Sequence, residues 1–167
     1  MYFIYLIIKF ITMNGELAYE EIEEVLQDQL IGRIGCNLNG KTYIVPVNYV
    51  YNDPYVYIYS LEGKKVDIMR KNMEVCFEVE VLWDSINWKS VVAWGTFEEL
   101  KGREARQKAW KLLSDRSLNL ISNDKTELTH TPLFKSDNVN DIEGIFYRIF
   151  LKEKTGRSKN SFQAALF

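Results

Sequence analysis

Two cysteines, one histidine and three prolines in 167 residues leave few routes to several kinds of chemistry. Cys36 and Cys76 both sit in apolar stretches, where free thiols pack as small hydrophobes, and two cysteines make no disulfide framework. No CxxC or HxxxH spacing occurs, so the chain offers no zinc or iron–sulfur ligand set. The single histidine, His130, lies in a polar stretch without a nucleophile motif beside it, which argues against a serine or cysteine triad. Excess charge of one sign is also missing. With 21 basic and 23 acidic groups the net charge is -2, giving no global electrostatic case for nucleic acid or an anionic membrane. A local anion site is what the charge balance leaves open.

Long hydrophobic runs are lacking as well. Residues 1–12 are almost wholly apolar, yet they fall short of the roughly 20 residues that a membrane helix needs. They carry neither a basic leading region nor a small-residue cleavage site. Met13 opens a more conventional run, so the expected compact unit is a single domain over 13–159, with 1–12 as an N-terminal extension. A packed edge strand and a peripheral membrane contact are the rival readings of that extension. Cysteine usage and the absence of a spanning segment point to the cytoplasm, without stable membrane insertion.

What is present is an ordinary globular balance, 47% apolar and 26% charged. Ile22, Val25, Leu26 and Leu30 recur at helical spacing in 18–30, with four glutamates toward the start of the segment. The period then changes. Segments 31–37, 41–50, 55–60, 74–83 and 89–98 are short, rich in Val, Ile, Tyr and Phe, and read as strands. Val75, Phe77, Val79 and Val81 alternate with polar residues, so one face is buried and the other partly wet. Asn39-Gly40 supplies the turn of a tight hairpin, and Asn52-Asp53-Pro54 closes a second one. Helical turns are expected at 64–71, and a longer helix at about 102–114 with Ala105, Ala109, Leu112 and Leu113 inward. Residues 117–143 have no firm period and read as a long excursion, before an aromatic strand at 145–151. The fold class is therefore mainly β, a small closed or split barrel of antiparallel strands with flanking α-helices.

Several residues could carry chemistry. In Tyr59-Ser60-Leu61-Glu62-Gly63-Lys64-Lys65 a strand ends, glycine turns the backbone, and two cations open a helical turn. A hydroxyl, ammonium groups and helix-start amides can hold a phosphate; a solvated turn with surface lysines is the alternative. Pro46 within a strand-like run marks an edge or a bulge, and Asn48 beside it can either pair with a planar heterocycle or satisfy local backbone. Ser90 is the one hydroxyl on a strand face shared with Val92 and Trp94, so it is either locally bonded or aimed into a pocket. Gly95 permits a close approach of backbone or ligand. Ten tyrosines and four tryptophans exceed what a small core needs, and such residues are frequent around planar ligands and at interfaces.

The order of these pieces resembles the pyridoxamine 5'-phosphate oxidase-like family of FMN-binding split barrels, in its nitroimidazole-resistance-type branch. The resemblance rests on Leu30-Ile-Gly-Arg-Ile-Gly35, Tyr43-Ile-Val-Pro-Val-Asn-Tyr49, Tyr57-Ile-Tyr-Ser60, Gly63-Lys-Lys65, Asn72-Met-Glu-Val-Cys-Phe-Glu-Val79 and Ser90-Val-Val-Ala-Trp-Gly-Thr-Phe97. It spans about 16–98 and extends more loosely to 145–157. The resemblance implies a homodimer with FMN at the subunit interface. It also implies that Lys64, Lys65 and Ser60 hold the phosphate, that Val47 and Asn48 lie along the isoalloxazine ring, and that Tyr59 and Ser90 line the same pocket. Arg157 resembles a tail element that approaches the flavin or the partner subunit. Some relatives have a histidine near the position of Tyr59, and the fuller arginine and histidine set of a true pyridoxamine-phosphate oxidase is missing here. The implied function is an FMN-dependent oxidoreductase acting on an unidentified small-molecule substrate or reductant. The alternatives are an FMN-binding protein with little turnover and a cofactor-free structural or regulatory dimer.

Overall fold

A computed structural model describes residues 9–122 and 139–164. In chain order the elements are β1 (Lys9–Glu16), α1 (Tyr19–Asp28), β2 (Ile31–Leu38), β3 (Lys41–Asn48), β4 (Val50–Asn52), β5 (Tyr55–Ser60), α2 (Lys64–Lys71), β6 (Glu74–Leu82), β7 (Trp88–Glu99), α3 (Arg103–Ser122) and β8 (Ile145–Ala164). The strands form one antiparallel sheet in the order β3-β2-β6-β7-β8-β5-β4, with β1 added on β8. Asn39 and Gly40, at φ 53° and 74°, make the tight turn that sets the β2–β3 register. Pro46 is tolerated because β3 is an edge strand, where a missing N–H need break no ladder bond.

The period-2 pattern decides the inside. Ile34 and Cys36, Val75, Phe77 and Val79, Val91 and Ala93, and Tyr147 and Ile149 all point into one core. β3 and β5 lie toward opposite ends of the strand order and yet come back into contact, so the sheet curls into a barrel that is split between them. α2 packs on β2 near this split, and its end is fixed where the Asn72 side-chain amide donates to the Asn37 carbonyl at 2.9 Å. On the opposite face of β5 and β8, Tyr57 and Phe146 pack with Ala109 of α3 in a second, smaller cluster.

α1 is tied to the barrel by polar groups as well as by Ile22, Val25 and Leu26. The Tyr49 hydroxyl donates to the Leu26 carbonyl at 2.8 Å, and the Arg116 guanidinium donates to the carbonyls of Gln27 and Gln29, both at 2.7 Å. These bonds satisfy carbonyls that a helix end leaves without partners. Nearby, the Tyr51 hydroxyl lies 2.7 Å from both Glu23 and Asp53. Lys154 donates to Glu23, to Asp53 at 3.2 Å and to the Tyr51 oxygen at 2.9 Å.

Three segments differ from the sequence expectation. α3 runs to Ser122, so 117–122 is helix and not the start of an irregular excursion. Of that excursion, 123–138, including His130, lies outside the described residues, and Val139–Asp141 is a 3-10 turn. β8 does not stop near Leu151 but continues to Ala164 along β7 and β1. Its second half hides its period because Lys154 and Gly156 occupy inward positions. Gly156 is needed there: a Cβ would lie 2.8 Å from Leu17 and Ile22 side-chain atoms. Residues 9–12 of the apolar N-terminal stretch pair with 161–164 of β8. The close approach at Gly95 is backbone, since a Cβ would sit 2.4 Å from the Phe150 carbonyl oxygen beside the bulge at Trp94/Gly95.

Among the described residues, no helix is long and apolar enough to cross a membrane, and no group of His, Cys, Asp or Glu is placed to hold a metal ion.

Candidate functional site

The start of α2 stands at the split of the barrel. Gly63 precedes it in extended backbone, its carbonyl accepting from the N–H of Val66 at 2.9 Å and of Asp67 at 3.1 Å, and no side chain caps this end. The positive end of the helix is therefore open. The Lys64 ammonium is exposed and lies 4.8 Å from the centroid of the Tyr43 ring on β3. Lys65 is half-buried; burial pulls its ammonium below the ordinary lysine range, with the Cys36 thiol opposing the shift. Among the described residues no carboxylate pairs with either lysine. Ser60 ends β5 just before this turn, its hydroxyl donating to the Leu61 carbonyl at 3.1 Å. A hydroxyl, two unpaired cations and an uncapped helix start are the donor set that an oxyanion requires.

Val47 is buried on the same face of β3 as Tyr43, about 13 Å farther along the strand. Asn48 is exposed on the other face, at the end of β3. Tyr59 belongs to the α3 side: its ring packs on Phe146 at 5.1 Å and its hydroxyl donates to the Glu143 carbonyl at 2.6 Å. Gly144 makes this close seat possible at φ 93°, where a Cβ would crowd the Ser60 carbonyl at 2.8 Å. Ser90 is elsewhere. It faces the outside of β7, 3.3 Å from the Glu78 carboxylate, and stands opposite Arg157, which pairs with Glu16 at 3.0 Å. Tyr59 opposes Phe146 and Ser90 opposes Arg157, eleven residues apart on β8 and so roughly 35 Å of strand contour. Within one chain, then, Ser60, Lys64 and Lys65 cluster, Val47 shares their strand face through Tyr43, and Tyr59 and Ser90 do not share a pocket.

The outer sheet face carries features that sequence reasoning missed. A groove of about 570 Å³ runs between Gly35, Ile44, Cys76 and Trp94, bordered by Arg33 and Glu78. Arg33 bridges Glu78 at 3.1 Å and Glu80 at 2.8 Å across the β2–β6 ladder. Ile31, Ile44 and Trp94 stand exposed on this face, at 57%, 64% and 45%. Burial pushes the Cys76 thiol up, which makes it a poor nucleophile. The signal available in the sequence was the alternation of Glu78 and Glu80 on the wet side of β6, but the register that brings Arg33 opposite them was not readable.

A protein-family model described as pyridoxamine 5'-phosphate oxidase matches residues 19–157. The chain belongs to the pyridoxamine 5'-phosphate oxidase family. An uncharacterized protein of Rhizobium meliloti is 31% identical over 104 residues, 60% of this chain and 69% of that protein. The crystal structure of a FAD-binding protein from Mesorhizobium loti superposes with a TM-score of 0.68 at 28% identity, covering 87% of this chain and 98% of that one. A candidate 5-nitroimidazole antibiotic resistance protein from Bacteroides thetaiotaomicron gives 0.65 at 16% identity, covering 98% and 99%. As a pyridoxamine 5'-phosphate oxidase family member, the chain has the split-barrel fold, and both the α2 start and the outer-face groove lie inside the matched region.

Proposed function

We propose that this family member binds FMN through Ser60, Lys64, Lys65 and the start of α2, and works as a flavin-dependent oxidoreductase on a small molecule. The observation that carries the reading is the pair of lysines without carboxylate partners at an uncapped helix start. A phosphate dianion there offsets the burial of the Lys65 ammonium, which the chain alone does not. β3 is an edge strand, so backbone donors and acceptors along Val47 and Asn48 are available to the polar rim of a planar heterocycle. When bound, the flavin supplies hydride or electron transfer. The chain's own residues hold the phosphate, orient the ring along β3 and keep water from one of its faces; no residue is assigned as acid or base.

The β8 partners of Tyr59 and Ser90 are eleven residues apart, so if Ser90 lines the flavin pocket, as the family resemblance implies, it does so from the second copy of a homodimer. Exposed Ile31, Ile44 and Trp94 on the outer face suit burial against that copy. Two free thiols, Cys36 and Cys76, suit a reducing compartment such as the cytoplasm. FMN is the form that a single phosphate cradle serves; the Mesorhizobium loti FAD-binding protein favours FAD as a second reading.

The test is the ultraviolet–visible spectrum of protein purified without added cofactor and again after loading with FMN and removing free ligand. Stoichiometric flavin bands are expected, with mass spectrometry of the released cofactor giving FMN and sedimentation giving a dimer. Released FAD selects the second reading. No retained flavin in either sample overturns both and leaves the cofactor-free dimer.

A further inference from the structure

We infer that Arg70 is a positioning residue that keeps the Glu62 carboxylate from occupying the anion cradle at the start of α2. The inference rests on the phosphate reading of that cradle. Glu62 immediately precedes Gly63, so its Cα is no more than about 7 Å from that of Lys64. A carboxylate so close to two unpaired ammonium groups and an open helix start is an intramolecular competitor for any anion bound there.

The geometry shows where that carboxylate goes instead. Arg70 sits in the last turn of α2, roughly 9 Å of helix rise beyond Lys64. Its guanidinium donates to both Glu62 oxygens, at 2.8 and 2.9 Å, and to both Glu99 oxygens, at 2.8 and 3.0 Å. Glu62 and Arg70 meet along the flank of α2, so both carboxylate oxygens are engaged by the guanidinium instead of by the amides at the helix start. Glu99, at the end of β7 and only 16% exposed, anchors Arg70 to the barrel wall. The planar fork gives two hydrogen bonds to each of two carboxylates, four in all, which the three N–H donors of a lysine at position 70 could not supply. One arginine thus engages both Glu62 oxygens and ties them to the barrel wall.

The experiment compares FMN with riboflavin, which carries the same ring without the phosphate, by equilibrium titration of the full chain at low ionic strength. Arg70→Gln should weaken FMN about 5- to 20-fold and leave riboflavin unchanged, with the FMN loss shrinking as salt is added. Glu62→Gln on top of Arg70→Gln should restore FMN affinity to within about twofold of the parent, because the competing charge is gone while Arg70 is still absent. Circular dichroism of both variants checks that the fold is retained. Equal losses for FMN and riboflavin, no loss for either, or no rescue by Glu62→Gln would each overturn the role of Arg70. If Lys64→Ala/Lys65→Ala also leaves the ratio of FMN to riboflavin affinity unchanged, the cradle itself falls, and the inference with it. A lowered ratio in that variant beside an unaffected Arg70→Gln sinks the Arg70 inference alone.

Discussion

The chain has two polar constellations that use the same residue types toward opposite ends. The Lys154 side chain is 13% exposed, and its ammonium contacts Glu23, Asp53 and the Tyr51 hydroxyl. Around Lys64 and Lys65, the ammonium groups have an aromatic ring and a thiol for neighbours; of the two carboxylates within two residues of them, Glu62 is held by Arg70 and Asp67, in the first turn of α2, forms no ion pair with either lysine among the described residues. The first cluster is closed, with its cation answered by two carboxylates, and it ties α1 to β4 and β8. The second is open and keeps positive charge uncompensated at a helix start. Half-burying the Lys65 ammonium without a carboxylate carries a small desolvation cost, and the arrangement makes sense when an external anion completes it.

The sharpest way to break this contrast is at the open end. Replacing Lys64 and Lys65 together by alanine should weaken FMN binding by about 2–4 kcal/mol while folding stability changes little, since neither lysine holds a carboxylate. Fluorescence titration with FMN alongside urea unfolding reads both quantities, and a large stability loss would move these lysines into the structural class. At the closed end the opposite is expected. Lys154→Met should lower unfolding free energy by about 2 kcal/mol in urea, because it leaves two carboxylates beside a buried tyrosine with one hydroxyl proton between them. Flavin affinity measured on the same variant should stay near that of the parent.

The smallest effect concerns pH. Burial holds the Lys65 pKa below its ordinary 10.5, so in the window between the folded value and 10.5 the unfolded chain binds more protons than the folded one. The apoprotein should therefore gain stability as pH rises through that window. The ratio of FMN to riboflavin affinity should fall a few-fold over the same range as the ammonium is lost, since ionisation of the ring N3–H affects both ligands alike. Lys65→Ala should remove both slopes, measured by urea unfolding and by titration across alkaline pH.

How much of this was legible differs between elements. β2, β5, β6 and β7, with α1 and α2, announce themselves because each has an apolar face, as in Val75, Phe77 and Val79 of β6, and β3 is marked by the Asn39-Gly40 turn before it. The phosphate cradle was also visible, since Ser60, Gly63, Lys64 and Lys65 are contiguous and their chemistry is local. The last turns of α3 and the second half of β8 were not: 117–122 runs on into a stretch without a firm period, and the second half of β8 is mostly polar in sequence. Lys154 is inward there, and its burial is tolerated only because Glu23 and Asp53 arrive from α1 and the β4–β5 turn. Tyr59 and Ser90, joined in one pocket on resemblance, stand far apart along β8 in a single chain.

The sequence alone reveals α1, α2 and the strands with one clear apolar face, and where Asn39-Gly40 turns the chain. These follow from side-chain period and turn chemistry, which act over a few residues. Tertiary structure decided the rest: that the curled sheet brings Tyr43 under Lys64, that Arg33 meets Glu78 and Glu80, and that Arg70 gathers Glu62 and Glu99. Those meetings depend on strand order, register and curvature, which arise from pairing between distant segments and leave no local pattern to read.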